Sequence, residues 1–197
     1  MKIYFIRHGF AYHNLGAKLY GDAAYSLPQY RDAQLTPEGI DHAKQIGKTL
    51  KNVKFNRIFS SPNLRCIQTT NNFIDQNLNF NNNLIILDDR LMEPQGKHLC
   101  NQRKDRIALE KYLQEFNKTY DLKNVLLNYY SNIYESKKDT QEKVISFIED
   151  LKKNCSNDET VLVVSHYGWL YNFFEIATGK GYEFFNCEVK IIELNNS

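Results

Sequence analysis

The stretch Lys2-Ile3-Tyr4-Phe5-Ile6-Arg7-His8-Gly9 opens the chain and decides its fold class. Ile3 to Ile6 form an unbroken apolar and aromatic run, the pattern of a short buried strand, and Arg-His-Gly ends it in a turn. The same grammar recurs downstream. Arg57-Ile58-Phe59-Ser60 reads as a second strand, and Asn83 to Leu87 as a third. Thr160 to Val164 reads as a fourth, running into Ser165-His166-Tyr167-Gly168, and a last strand is predicted from Glu188 to Leu194.

Helical patterns fill the intervals. Thr36 is placed as an N-cap with Pro37 in the first helical position, and Ile40, Ala43, Ile46 and Leu50 fall on one face. Ser61-Pro62 predicts the opening of a second helix, with Leu64, Ile67, Phe73 and Ile74 as its stripe. Asp139 to Leu151 is amphipathic through Val144, Phe147, Ile148 and Leu151. The helix after His166 carries Trp169, Leu170, Phe173 and Phe174, read as core. Tyr12 to about Gln34 reads as a polar loop dotted with tyrosines, and 101–134 as irregular helix. Alternating strands and helices predict an α/β fold: a mostly parallel central sheet flanked by helices on both faces. A single domain over residues 1–197 is expected, with a helical insertion at about 94–135.

Composition narrows the function classes. The apolar fraction of 42% and charged fraction of 24% suit a globular protein with a full core. A net charge of +2 predicts no nucleic-acid footprint, though it leaves room for a local basic pocket. Cys66, Cys100, Cys155 and Cys187 form no CxxC pair, so no zinc site is expected. Met1-Lys2 runs straight into the first strand and no apolar run of about 18 residues follows, so neither a signal peptide nor a membrane span is expected. These features together predict a cytoplasmic protein with free thiols.

The fold prediction places chemistry. In an open α/β sheet the carboxyl ends of parallel strands line one crevice, where helix N-termini also point. His8 and His166 lie just past two strand ends, Arg65 opens the helix after the second strand, and Glu93 follows the third. With Arg7 they make an anion-friendly cluster suited to phosphoryl transfer through a phospho-histidine. An imidazole held at one nitrogen is a nucleophile at the other, arginines grip the phosphoryl oxygens, and a carboxyl group protonates the leaving oxygen. His13, His42 and His98 read as surface or packing residues. Lys97, Arg103, Lys104 and Arg106 read as a solvated helix face, with a contact to an acidic substrate as the alternative. Tyr20, Tyr25 and Tyr30 are candidates to line a pocket.

The motifs resemble those of the histidine phosphatase superfamily, the phosphoglycerate-mutase-like fold. Arg7-His8-Gly9 with Asn14 is similar to its opening signature, and Leu35-Thr36-Pro37-Glu38-Gly39 to the start of its first long helix. Ser60-Ser61-Pro62-Asn63-Leu64-Arg65 with Thr69 resembles its second-arginine motif, and Ser165-His166-Tyr167-Gly168 its second-histidine motif. Asn186-Cys187-Glu188-Val189 is also similar to the tail of some members. The resemblance implies that His8 takes the phosphoryl group, that Arg7, Arg65 and His166 hold its oxygens, and that Glu93 is the proton donor. Asn14 and the backbone amide of Tyr167 would add donors. It implies no metal or organic cofactor, and as partner a small-molecule phosphate ester or a phosphoprotein.

Departures from the family pattern are local. Phe10 stands where many members have Glu, and Tyr167 where Gly is commoner. Pro94 to Asn101 lacks the arginine-rich stretch with which cofactor-dependent mutases grip a second phosphate. That favours a histidine-type acid phosphatase over a phosphoglycerate-mutase-type phosphotransferase or a non-catalytic phosphate-binding module. Neither the substrate nor the oligomeric state is specified by these residues.

Overall fold

A computed structural model describes residues 1–80, 84–128 and 134–195. The strands are β1 (Lys2–Arg7), β2 (Arg57–Ser60), β3 (Ile85–Asp88), β4 (Tyr120–Asn124), β5 (Thr160–Ser165) and β6 (Val189–Glu193). They form one sheet in the order β4-β3-β2-β5-β1-β6. All neighbouring pairs are parallel except β1 with β6. The helices are α1 (Tyr12–Tyr20), α2 (Pro37–Thr49), α3 (Leu64–Ile74), α4 (Arg106–Leu113), α5 (Lys137–Asn154) and α6 (Tyr167–Thr178).

Strand alternation divides the core between the two faces. Ile3 and Phe5 of β1 pack with Val144, Phe147 and Leu151 of α5 and with Trp169, Leu170 and Phe173 of α6. Tyr4 and Ile6 point the other way, to Cys66, Ile67, Phe73 and Ile74 of α3 and to Leu109 and Leu113 of α4. Central strands covered on both sides need no polar face, which is why β1 and β5 are continuous apolar runs. Phe173 lies at the heart of the first cluster, its ring 4.3 Å from Phe5 and 5.5 Å from Trp169. Phe173→Ala is expected to destabilise the fold by about 3–5 kcal/mol. A lowered denaturation midpoint at unchanged slope would report it; a loss below about 1 kcal/mol would mean that the face is loosely packed.

Several boundaries differ from expectation. The 12–34 segment is not all loop, because Tyr12–Tyr20 is helical and 3-10 turns follow at Asp22–Ser26 and Pro28–Tyr30. This short helix is fixed from outside: a Cβ on Gly16 would overlap the Tyr30 ring that packs on it. The 94–135 segment is only partly helical, comprising a 3-10 turn at Leu99–Asn101, α4, and then β4 on the sheet edge. Asn83, the expected start of the third strand, lies outside the described residues. α3 starts at Leu64 rather than at Pro62, with Asn63 in the N-cap position. Thr36 does cap α2, its hydroxyl accepting from Gly39 N–H at 3.1 Å. Among the described residues no helix is long and apolar enough to cross a membrane.

Candidate active site

Parallel register brings the strand ends level. Arg7 pairs with Ser165 and Ser60 with Val164, so His8, Ser61 and His166 emerge side by side. His8 N–H donates to Ser165 O at 3.0 Å, and Ser61 N–H to Val164 O at 3.0 Å. The His8 and His166 rings are 5.2 Å apart. Arg65 enters from the first turn of α3, and Glu93 from the loop after β3. A cavity of about 210 Å³ opens here, and Arg7, His8, Asn14, Arg65, Glu93, His166 and Tyr167 all line it. All seven predicted site residues therefore converge.

His8 Nδ1 lies 2.8 Å from Gly9 O. A carbonyl only accepts, so Nδ1 carries the proton and Nε2 holds the lone pair. Burial, reinforced by Arg65, His166 and Arg7, holds the pKa of His8 well below the usual histidine value, which keeps it neutral. Thr69 locks the turn to α3: its hydroxyl accepts from Gly9 N–H at 2.9 Å and donates to Arg65 O at 2.7 Å.

The arginines are held from behind. Arg7 Nη1 donates to Phe184 O at 2.7 Å, whereas its buried Nε has no hydrogen-bond partner among the described residues. The Tyr167 ring lies 5.3 Å from the Arg7 guanidinium, a cation–π contact that covers one of its faces. Arg65, 1% exposed, donates to Cys100 O at 2.8 Å and from Nε and Nη2 to His166 Nδ1 at 3.2 and 3.0 Å. His166 Nε2 faces Ser61 Oγ at 2.8 Å.

Glu93 sits on the N-terminus of α6. Both of its carboxylate oxygens accept from Gly168 N–H at 3.0 Å. Gly168 is needed here, since a Cβ would lie 2.8 Å from Glu93 Oε1. Burial raises the Glu93 pKa, against the pull of the Gly168 amide and of Arg65 and Arg7. Asn14 Oδ1 accepts from Ala11 N–H at 3.1 Å, which leaves its Nδ2 as a donor on the cavity side.

Residues 3–197 match the family model of the histidine phosphatase superfamily (branch 1). The chain belongs to the histidine phosphatase superfamily. A relative named "Putative phosphoserine phosphatase 2", from Hydrogenobacter thermophilus, is 29% identical over 164 residues, covering 77% of this chain and 70% of that protein. Among solved structures, phosphoglycerate mutase from Bacillus anthracis superposes with a TM-score of 0.70 at 18% identity, over 100% of this chain and 88% of that one. Phosphoserine phosphatase from Entamoeba histolytica, solved with 3-phosphoglyceric acid, gives 0.62 at 20% identity over 96% and 89%. At these identities the structural likeness establishes a phosphoglycerate-mutase-like fold.

This superfamily member adds wall residues that sequence reasoning missed. His13, read as surface or packing, is 5% exposed and lines the cavity, its ring 5.5 Å from His8. His98, also read as surface or packing, continues the wall through Tyr25, with ring spacings of 5.8 Å from His13 to Tyr25 and 5.3 Å from Tyr25 to His98. Of the three tyrosines offered as pocket candidates, Tyr25 lines this cavity, and Tyr20 and Tyr30 are not in its lining. The neighbourhood of His13 to Asn14 was the available signal, but it needed α1 to be recognised as a helix. The basic run is no solvated face throughout: Arg103 is buried and paired with Asp89 at 2.8 Å. Arg106 pairs with Glu110 at 2.8 Å. Among the described residues no group of three or more His, Cys, Asp or Glu side chains is arranged to hold a metal ion.

Proposed function

We propose that this protein is a phosphomonoester hydrolase of the acid phosphatase type, working through a phospho-histidine on His8. The observation that carries the reading is His8, its tautomer fixed by Gly9 O so that Nε2 holds the lone pair, lining a cavity shared with two guanidinium groups and a raised-pKa carboxyl. His8 Nε2 forms a bond to phosphorus as the ester P–O bond breaks, and Glu93 gives its proton to the departing oxygen. Water then loses a proton to Glu93 and attacks phosphorus, breaking the P–N bond and freeing His8 and phosphate. Arg7, Arg65, His166, Asn14 and the Tyr167 amide take the phosphoryl oxygens, where charge develops.

Hydrolysis is favoured over return of the phosphoryl group to the substrate. Arg103, the buried arginine after the Glu93 loop, is spent on Asp89, and no lysine lines the cavity among the described residues. A cavity of about 210 Å³ suits a small phosphate ester or a single phosphorylated side chain. The relatives named as phosphoserine phosphatases favour the same reaction class. The test is to quench turnover of a labelled aryl phosphate in denaturing alkali, which preserves phosphoramidates. Label on the peptide containing His8 is expected. Turnover with no label on any histidine would overturn the covalent step.

A further inference from the structure

Three buried side chains lie in series behind His166: Ser61, Asn63 and Asp32, with Asp32 drawn from the segment after α1. We propose that Asp32 is a positioning residue for His166, acting through Asn63 and Ser61 to hold the imidazole as its Nε2–H tautomer, with Nδ1 turned to the phosphate seat beside Arg65. The catalytic consequence rests on the phosphatase reading; the hydrogen-bond assignment does not.

The direction of each link follows from which groups can only accept or only donate. Asp32 Oδ1 accepts from Leu64 N–H and from Asn63 Nδ2, each at 3.0 Å, and Oδ2 accepts from Lys104 N–H at 3.1 Å. Asn63 Nδ2 also donates to Asn101 O at 3.2 Å. Both acceptors demand the amide nitrogen, so Asn63 Oδ1 is left facing Ser61. The Ser61 hydroxyl spends its one proton on Asn63 Oδ1 at 3.2 Å. Its lone pair then accepts from His166 Nε2–H at 2.8 Å. The opposite side of the ring gives the same answer independently. Arg65 Nε and Nη2, which only donate, sit 3.2 and 3.0 Å from His166 Nδ1.

No link is open to water. Asp32 is 3% exposed, His166 1%, and Ser61 and Asn63 0%. A buried network satisfied at every member specifies one arrangement. Asp32 also adopts φ +48°, an uncommon conformation for a residue with a side chain, which aims its carboxylate at the start of α3. This explains why Ser61 does not cap α3: its hydroxyl serves His166, and Asp32 takes the Leu64 amide in its place. Burial and Arg65 hold the pKa of His166 well below the usual histidine value, so with Nε2–H committed to Ser61 the resting imidazole is neutral. It donates to a phosphoryl oxygen only when the bound phosphate dianion draws the Arg65 donors to itself and brings a proton onto Nδ1.

The test is nitrogen NMR of the histidine-labelled full chain at neutral pH, beside kinetics on an aryl phosphate. Wild type is expected to show His166 protonated at Nε2 and bare at Nδ1. Asp32→Ala and Ser61→Ala are each expected to lose that single tautomer and about tenfold in kcat. Asp32→Asn, which keeps an acceptor toward Asn63 and Leu64, should restore both. The double variant should be no slower than either single one, because both cut one relay. Ser61→Ala leaves every Asp32 contact in place, so it reads the relay even if Asp32→Ala does not fold. An Nδ1–H tautomer in wild type, an unchanged tautomer in Ser61→Ala, or losses that multiply in the double variant would reduce Asp32 to a cap on α3. The tautomer is read without turnover, so an inactive wild type would overturn the phosphatase reading and leave this assignment to stand or fall on the NMR.

Discussion

His8→Ala is expected to lower kcat on an aryl phosphate by on the order of 10⁴-fold or more, with the fold intact. The magnitude follows from the lack of a substitute. The other cavity imidazole beside the strand ends, His166, has its Nδ1 engaged by Arg65 and its Nε2 by Ser61. Neighbouring thiols cannot take over. Burial pushes Cys66 up to about 12 and Cys100 up to about 11, so neither offers a thiolate at working pH. His13 and His98 are the remaining cavity imidazoles, but His13, with its ring 5.5 Å from His8, stands on α1, and His98 lies beyond Tyr25, so both are off the strand-end row formed by His8, Ser61 and His166. Phosphate binding should survive, because Arg7 and Arg65 do not depend on His8. The measurement pairs steady-state turnover with inorganic phosphate binding. Residual turnover above about 1% of wild type, with binding retained, would assign the nucleophile elsewhere.

How far the sequence could be read depended on where each residue's partners lie. β1 and β5 were legible because both their faces are buried, which forces an apolar run. β4 was not, because Tyr120-Asp121-Leu122-Lys123-Asn124 lies half-exposed on the sheet edge and keeps polar residues a central strand would exclude. α1 was missed because its nine residues have neither an acidic first turn nor a side-chain N-cap hydrogen bond to the helix, and the Tyr30 ring that seats Gly16 is far along the chain. The site was legible to the extent that strand register fixes it. His8, Arg65, Glu93 and His166 follow from the order of strands alone. His13, Tyr25 and Asp32 do not, since their places depend on how the segment between β1 and α2 folds back over the strand ends. Ser61 shows the limit most clearly. Its position before a proline and a helical stripe argues for a cap, and only the buried amide of Asn63 turns its hydroxyl to His166.

Glu93→Gln is expected to cost about 10²–10⁴-fold on an alkyl phosphate and far less in the first step on an aryl phosphate. An alkoxide leaves poorly without a proton, whereas an aryl oxide leaves as the anion, so the need for Glu93 scales with the leaving group. The second step has no such escape, because the attacking water must lose its proton in either case. With an aryl phosphate the variant should therefore release one equivalent of aryl alcohol in a burst and then stall as the phosphoenzyme. The pH dependence separates this role from simple positioning. Burial raises the pKa of Glu93 above the usual carboxylic value and lowers that of His8 below the usual histidine value. Activity needs Glu93 protonated and His8 neutral. Lowering the His8 value thus extends activity into acid, and kcat/KM falls as pH rises through the Glu93 value. That basic limb should vanish in Glu93→Gln, while the acid limb set by His8 stays. Glu93→Asp, a carboxylate drawn back from the Gly168 amide, should keep a basic limb at reduced rate. Equal losses on alkyl and aryl substrates, no burst, and an unmoved basic limb would make Glu93 only the cap of α6, and the proton donor would have to be sought among His13, Tyr25 and His98, which line the same cavity.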